Sequence, residues 1–148
     1  MLLTIDRSKP FDPVSFLGQS GFKVAFQSIA LRNVPAFDSS KMRLEYGMYN
    51  SNRGRPLFRS ERVEWLNARG FVMPDGHVIE TLKKHTACFP QEWAAAGLTI
   101  HLDGIALESS WDGRQFEIYM IYNKVQKMWE FPYLGPWAGR YPSLVIDP

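Results

Sequence analysis

The chain has 148 residues, of which 45% are hydrophobic, 22% charged and 14% aromatic, and its formal net charge is +2. This length and near-average composition suit one globular domain with its own core, which excludes a disordered chain, a collagen-like fibre and a disulfide scaffold. The net charge is too small to make nucleic-acid binding the first expectation.

The expected compartment and cofactor use rest on features that the sequence lacks, namely a second cysteine, a signal peptide and nucleotide-binding motifs. Cys88 is the only cysteine, so an internal disulfide is excluded and a reducing compartment fits. The opening Met1–Arg7 breaks its apolar run with charge, unlike a signal peptide, and no apolar stretch approaches the roughly 18–20 residues needed to cross a bilayer. We expect a cytoplasmic protein without membrane contact. Nucleotide-binding and hydrolase motifs are missing, and no cofactor is expected.

The first third of the chain predicts an arm, two strands and a loop. Residues 1–21 are expected to form an N-terminal arm, because two prolines interrupt regular structure there. Alternating apolar residues then predict strands over 22–31 and about 41–49. Residues 50–56 are rich in Asn, Ser, Gly and Arg and end on Pro, which predicts a loop.

Helical patterns occupy the middle of the chain. Ser60 can cap a short helix that Gly70 ends in a left-handed conformation. Asp75 can cap a second helix that runs to Phe89, because its apolar residues form one stripe at helical spacing. A third short helix is predicted over 91–96.

The remaining residues predict strands and a tail. Residues 98–134 alternate as a four-stranded antiparallel meander, with hairpin turns at the Asp-Gly pairs 103–104 and 112–113. Residues 135–148 form a proline-rich tail that is expected to pack on the body. The order of strands, helices and strands predicts a single α+β domain over 1–148, with an antiparallel sheet and two or three short helices packed on one face.

One resemblance is visible in the opening segment. Residues 4–18, which read TIDRSKPFDP and continue to FLG, resemble the start of a group of short uncharacterised bacterial proteins. The similarity continues through 89–93 and 100–104 and is fainter in the aromatic strands. It implies a stand-alone bacterial protein; it implies no activity and assigns no functional residue.

Two residues on the second predicted helix raise the possibility of metal or thiol chemistry. His85 and Cys88 are three positions apart, so both can reach one metal ion or act as base and nucleophile. A second ligand cluster and an oxyanion-hole motif are both missing from the sequence. The simpler interpretation is a packed thiol near an exposed imidazole, and no metal site is predicted.

Four carboxylates in the predicted meander are candidates for a hydrolytic pair: Asp103, Glu108, Asp112 and Glu117. Asp103 and Asp112 are explained by the Asp-Gly turns to which they are assigned, because aspartate favours turn conformations. No catalytic residue is therefore predicted.

Basic residues outnumber acidic ones between 41 and 69. Arg53, Arg55, Arg59 and Arg62 predict a region that binds phosphate, nucleic acid or an acidic partner. A solvated loop and helix face without a ligand is the alternative.

Aromatic residues concentrate between 111 and 141. Alternate residues of a strand face opposite sides, so one core cannot hold all of these rings. The second face is expected to be covered by the tail, by a second copy of the chain in a homodimer, or by a ligand. Trp111, Tyr119 and Trp129 are the candidate contact residues.

The sequence thus favours a non-enzymatic binding or interaction protein that uses the aromatic sheet face and the arginine-rich loop. One alternative is a small enzyme that acts on a polar or anionic small molecule, through His85, Cys88 or a sheet carboxylate. Another is single-stranded nucleic-acid binding, with bases stacked on Tyr119 or Trp129 beside the basic loop. Expected partners are an anionic ligand, a protein or a second copy, in preference to nucleic acid.

Overall fold

A computed structural model describes residues 1–46, 56–135 and 141–147 and confirms the α+β class. The helices in these ranges are α1 (Pro13–Leu17), α2 (Arg59–Ala68), α3 (Gly76–Lys84) and α4 (Gln91–Ala95). The strands are β1 (Leu2–Thr4), β2 (Phe22–Gln27), β3 (Ala36–Asp38), β4 (Met42–Glu45), β5 (Thr99–Ser109), β6 (Gln115–Asn123), β7 (Met128–Glu130), β8 (Tyr133–Leu134) and β9 (Ser143–Ile146).

Seven of these strands form the main sheet, and β1 and β3 form a separate two-stranded ribbon. The main path is β4-β9-β5-β6-β7, with β2 paired to the second half of β5 and β8 paired to β6. The pairings are antiparallel except where β5 meets β9 in parallel, at His101 and Ser143. The strand β9 belongs to the predicted tail, and all four of its residues are buried between β4 and β5.

The predicted turn at Asp103-Gly104 is wrong, because β5 continues unbroken through it. The ladder between β5 and β6 shifts register between His101 and Ala106, so the strand bulges at this point instead of turning. Glycine is required here by close packing, since a Cβ on Gly104 would fall 1.8 Å from the carbonyl oxygen of Pro74. The second predicted Asp-Gly turn is confirmed, with Gly113 in the left-handed region at φ 73°.

Strand boundaries differ from the sequence pattern at two places, and a third predicted boundary falls outside the described residues. The strand predicted over 22–31 ends at Gln27, where the backbone of Ser28 turns to donate to the carbonyl of Gly104 at 2.7 Å. The strand predicted to reach residue 49 is described only as far as β4, and the positions after 46 lie outside the described residues. The last predicted strand is two short strands, β7 and β8, which both pair with β6.

Helix ends are close to those predicted, with one clear exception. The helix α2 starts at Arg59 with Phe58 at its N-cap position, so the predicted cap at Ser60 is wrong and lies two residues too late. Gly70 follows the helix in the left-handed region at φ 75°, as predicted. Asp75 caps α3 as predicted by accepting from two free backbone N–H groups. However, α3 ends at Lys84 instead of Phe89, and a short 3-10 turn takes the chain onward.

Helices lie on both sides of the main sheet. The apolar residues of α3 (Val78, Ile79 and Leu82) pack with the buried aliphatic residues of β5 and β6 in the larger core. Two aromatic residues of the N-terminal arm, Phe11 and Phe16, are buried in the same core. On the opposite side, Val63 and Leu66 of α2 form a smaller apolar cluster with β9.

Candidate functional site

A buried ion cluster lies between α2 and the main sheet and consists of Arg62, Asp103 and Glu117. Arg62 donates to both carboxylate oxygens of Asp103, with its shortest contacts at 2.9 and 3.0 Å, and to Glu117 Oε1 at 2.9 Å. A further Arg62 N–H group donates to the carbonyl of Leu57 at 2.7 Å. Arg62 is only 1% exposed, so this is an interior ion cluster.

Neighbouring hydroxyl groups complete the shell of the ion cluster. The Tyr119 hydroxyl donates to Glu117 Oε2 at 2.7 Å, and the Ser143 hydroxyl donates to Asp103 Oδ2. Each carboxylate oxygen of the cluster therefore accepts at least one hydrogen bond. A folded protein tolerates buried charges when all of their hydrogen-bonding atoms have partners in this way.

The charges of the ion cluster stabilise one another. Burial alone would raise the pKa of Asp103, but the adjacent Arg62 guanidinium outweighs it and holds that pKa below the ordinary value. Burial alone would lower the pKa of Arg62, and Asp103 reverses this effect and raises it. Both groups are therefore charged at neutral pH, and the ion cluster fastens α2 to β5 and β6.

His101 lies next to the ion cluster and has no hydrogen-bond partner on either ring nitrogen in the described part of the chain. Its ring sits between Tyr119 and Tyr141, at centroid distances of 5.0 and 5.8 Å, and is 1% exposed. Burial lowers the pKa of His101 to about 4; nearby Asp103 opposes this shift and Arg62 adds to it. The imidazole is therefore neutral at pH 7.

Burial limits what this group of residues can do chemically. A general acid or base has to reach the proton that it transfers, directly or through one water molecule. Arg62, Asp103 and His101 are each 1% exposed, and Glu117 is 5% exposed. The arrangement is suited to holding a helix on a sheet in one orientation.

A small cleft opens at the start of α2, beside the ion cluster. We call it the α2 cleft; its volume is about 200 Å³, and it is lined by Phe58, Arg59, Ser60, Ala106, Gln115, Phe116 and Glu117. One guanidinium nitrogen of Arg59 donates to the carbonyl of Asp103 at 3.2 Å, and the guanidinium carbon lies 4.5 Å from the ring centre of Phe26. Burial lowers the pKa of Arg59, against the attraction of Asp103 and Glu117.

Of the four arginines predicted to act together, the structure describes Arg59 and Arg62, and it places these two in different environments. Arg53 and Arg55 lie outside the described residues. Arg62 is corrected from a surface residue to an interior one, because its guanidinium is committed to two buried carboxylates. Arg59 is half-buried and lines the α2 cleft, so it is the member of the set that the structure brings to an accessible place.

The three aromatic candidates, Tyr119, Trp129 and Trp111, differ in how exposed they are. Tyr119 is 0% exposed, which corrects the expectation that its ring stacks on a ligand or a base. Trp129 is half-buried against Phe89 and Tyr122, at centroid distances of 5.1 and 5.4 Å. Trp111 is 88% exposed in the turn between β5 and β6.

Some aromatic rings of the sheet region pack against the chain's own residues. Phe131 packs against Phe16 of the N-terminal arm, while Phe116 contacts Phe22 of β2. Among the described aromatic residues of 111–135, Trp111 is the one that is largely exposed, and the homodimer stays a prediction.

His85 and Cys88 occupy neighbouring turns after α3. His85 is exposed at the end of the helix, and Cys88 is partly buried against the larger core. Burial raises the pKa of the Cys88 thiol, which favours the neutral, less nucleophilic form. In residues 1–46, 56–135 and 141–147, no group of three His, Cys, Asp or Glu residues is placed to hold a metal ion.

The pairing of Asp103 and Glu117 on one arginine was not predicted from sequence. The available signal was Glu117, a charged residue within a run of apolar and aromatic strand residues that are buried on both alternating faces. Such a position needs an opposite charge from another element, because an isolated buried carboxylate is very costly.

The fold and site define an α+β protein in which helices pack on both faces of a mixed sheet. An arginine-centred ion cluster holds α2 on one of these faces. No protein-family model, curated protein or solved structure matches the chain. Among the described helices, none has the length and apolar character required to span a membrane. The bacterial group suggested by residues 4–18 stays a prediction.

Proposed function

We propose that this chain is a non-enzymatic interaction protein that receives an acidic side chain of a protein partner in the α2 cleft, with Arg59 as the residue that binds the carboxylate. The supporting observation is the bonding of Arg59. It is half-buried, yet within the described residues it forms no ion pair and uses one of its five N–H donors.

The neighbouring charges leave Arg59 as the available cation of the α2 cleft. The Glu117 oxygens accept from Arg62 and Tyr119, and the Asp103 oxygens accept from Arg62 and Ser143. Arg62 offsets one of the two negative charges that Asp103 and Glu117 direct toward Arg59. A planar guanidinium can bind a carboxylate through two parallel hydrogen bonds, and partial burial strengthens the attraction.

The size of the α2 cleft favours a protein side chain as its ligand. Its volume of about 200 Å³ is below the roughly 300–1,000 Å³ typical of small-molecule sites. Phe58 in its wall is exposed and adds an aromatic surface beside Arg59. Arginine is one of the residue types that most often dominate protein interfaces.

A pair of tripeptides tests the proposal. The blocked peptide Ala-Glu-Ala and its neutral analogue Ala-Gln-Ala are titrated into ¹⁵N-labelled protein, and the backbone amide shifts of Ser60 and Gln115 are followed. We expect saturable shifts with Ala-Glu-Ala and binding about tenfold weaker with Ala-Gln-Ala, because the charge-assisted contact is lost.

Variants on α2 provide the matched comparison. Arg59→Gln should abolish the preference for Ala-Glu-Ala, whereas Arg69→Gln should retain it. Arg69 lies at the other end of the helix, where it stacks on Trp65 at 3.7 Å. Thermal melting of both variants confirms that they are folded. Equal shifts with the two peptides, or an unchanged preference in folded Arg59→Gln, would contradict the proposal.

A further inference from the structure

A second, apolar groove lies on another part of the molecule, between the β1–β3 ribbon and the β4–β9 edge of the main sheet. Its volume is about 540 Å³. Its apolar lining includes Leu31 and Val34, which we call its wall, and Phe37, Val72 and Ile146, of which Phe37 and Ile146 are buried. We call it the ribbon groove.

The wall of the ribbon groove is fixed in place. Arg7 donates to the carbonyl of Leu31 at 2.6 Å and to that of Val34 at 3.3 Å, and it forms an ion pair with Asp75 at 3.0 Å. Asp75 is itself the cap of α3, so the wall is tied to a helix whose apolar face packs in the larger core. A preformed groove binds without first having to order its own walls, which favours affinity.

The charges at the rim of the ribbon groove are unequally paired. Of its two carboxylates, Asp147 lies 2.8 Å from the guanidinium of Arg43, which also lies 3.8 Å from Glu45, and Asp38 lies 3.5 Å from the amino group of Met1. The third charged lining residue, Lys41, has no ion-pair partner in the described part of the chain. The rim therefore offers one ammonium group above an apolar interior.

From these observations we infer that the ribbon groove binds an amphipathic monoanion, such as a medium-chain fatty carboxylate. The hydrocarbon part lies along the partly exposed Leu31, Val34 and Val72, and the carboxylate meets Lys41 at the rim. The groove volume lies within the range typical of small-molecule sites, and its lining is mostly apolar. This site shares no residue with the α2 cleft, so either proposal can fail without the other.

Calorimetric titration with dodecanoate, below its micelle-forming concentration, tests the inference on the full chain. We expect saturable binding of one dodecanoate per chain. Decanoate and decanol, which have equal chain length, are then compared to isolate the effect of the carboxylate charge. Decanol should bind about tenfold more weakly than decanoate. Absence of saturable dodecanoate binding, or equal affinity for decanol and decanoate, overturns the inference.

Two pairs of variants locate the ligand. Ala30→Trp fills the ribbon groove from an exposed position and should abolish binding, whereas Ala87→Trp, at an exposed position elsewhere, should not. Lys41→Glu should weaken dodecanoate binding about tenfold, whereas Lys124→Glu should leave it unchanged. All four variants are checked for folding by circular dichroism. If folded Ala30→Trp or Lys41→Glu binds as the wild type does, the fatty carboxylate binds elsewhere and the assignment is wrong.

Discussion

The two faces of the main sheet are formed by alternate residues of the same strands, yet they are stabilised in different ways. On one face of β6, Ile118 and Met120 belong to an apolar core with α3. On the other face, Glu117 and Tyr119 are bonded to each other, and Glu117 also accepts from Arg62 of α2. The apolar face is stabilised by non-directional burial, and the polar face by hydrogen bonds between specified atoms.

This difference predicts different responses to substitution. Apolar packing loses stability roughly in proportion to the atoms removed, because no single contact has a large energy. An ion cluster responds abruptly, since removal of one charge leaves the remaining buried charges without compensation. The polar face should therefore be the more sensitive to charge and pH, and the apolar face the more sensitive to volume.

The largest effect is expected from Arg62→Met, which leaves Asp103 and Glu117 buried without their arginine. We expect the free energy of unfolding to fall by about 3–5 kcal/mol, the usual cost of breaking a buried ion pair from one side. Urea denaturation followed by circular dichroism measures the loss.

The control for Arg62→Met is Arg69→Met on the same helix. Arg69 is exposed and its main contact is with the Trp65 ring, so its replacement should lower the free energy of unfolding by at most about 1 kcal/mol. The triple variant Arg62→Met, Asp103→Leu, Glu117→Met removes all three charges of the ion cluster and should recover part of the loss. Equal losses at Arg62 and Arg69 would show that the ion cluster does not hold α2 on the sheet.

Much of the apolar face was accessible from the sequence, whereas the polar face was not. The stripe of Val78, Ile79 and Leu82 and the alternation of Ile100 and Leu102 are local patterns, and the structure buries all five residues. Such patterns report burial directly, because secondary-structure period and core position coincide.

The ion cluster depends on long-range contacts that no local pattern records. Arg62 meets Asp103 across 41 positions and Glu117 across 55. The Asp103-Gly104 pair also has the chemistry of a hairpin turn, but Asp103 is buried by its ion pair and Gly104 by its close approach to Pro74. Tertiary contacts thus override the local turn preference.

His101 provides a test of pH sensitivity on the polar face. Its pKa falls from an ordinary 6.5 to about 4 in the folded chain, so the unfolded chain binds the proton more readily between these values. The contribution of neutral His101 to the free energy of unfolding is therefore present in full above pH 6.5 and is lost as the pH falls toward 4. The charged or titratable groups nearby are Asp103, Arg62, Tyr119 and Tyr141. Between pH 7 and 5 the contribution of His101 is on the order of 2 kcal/mol.

The variant His101→Phe keeps a ring in this position but removes both nitrogens. We expect the free energy of unfolding at pH 7 to rise by about 1–3 kcal/mol, because two buried polar atoms without partners disappear. The dependence on pH between 4 and 6.5 should also become shallower. The measurement is urea denaturation at several pH values, with His85→Phe at an exposed position as the control. An unchanged pH dependence would show that His101 is not the titrating group.

The smallest predicted loss of stability is for a substitution on the apolar face, and this loss should not depend on pH. Ile118 is 1% exposed in the larger core, so Ile118→Val should lower the free energy of unfolding by about 1 kcal/mol through the loss of one methylene. Its neighbours in that core are apolar, and the loss should therefore be the same at pH 5 and pH 8. The titratable side chains next to Ile118 along the strand are Glu117 and Tyr119, and both point into the polar face. A loss of stability that differed between pH 5 and pH 8 would therefore mean that the two faces are energetically coupled through β6.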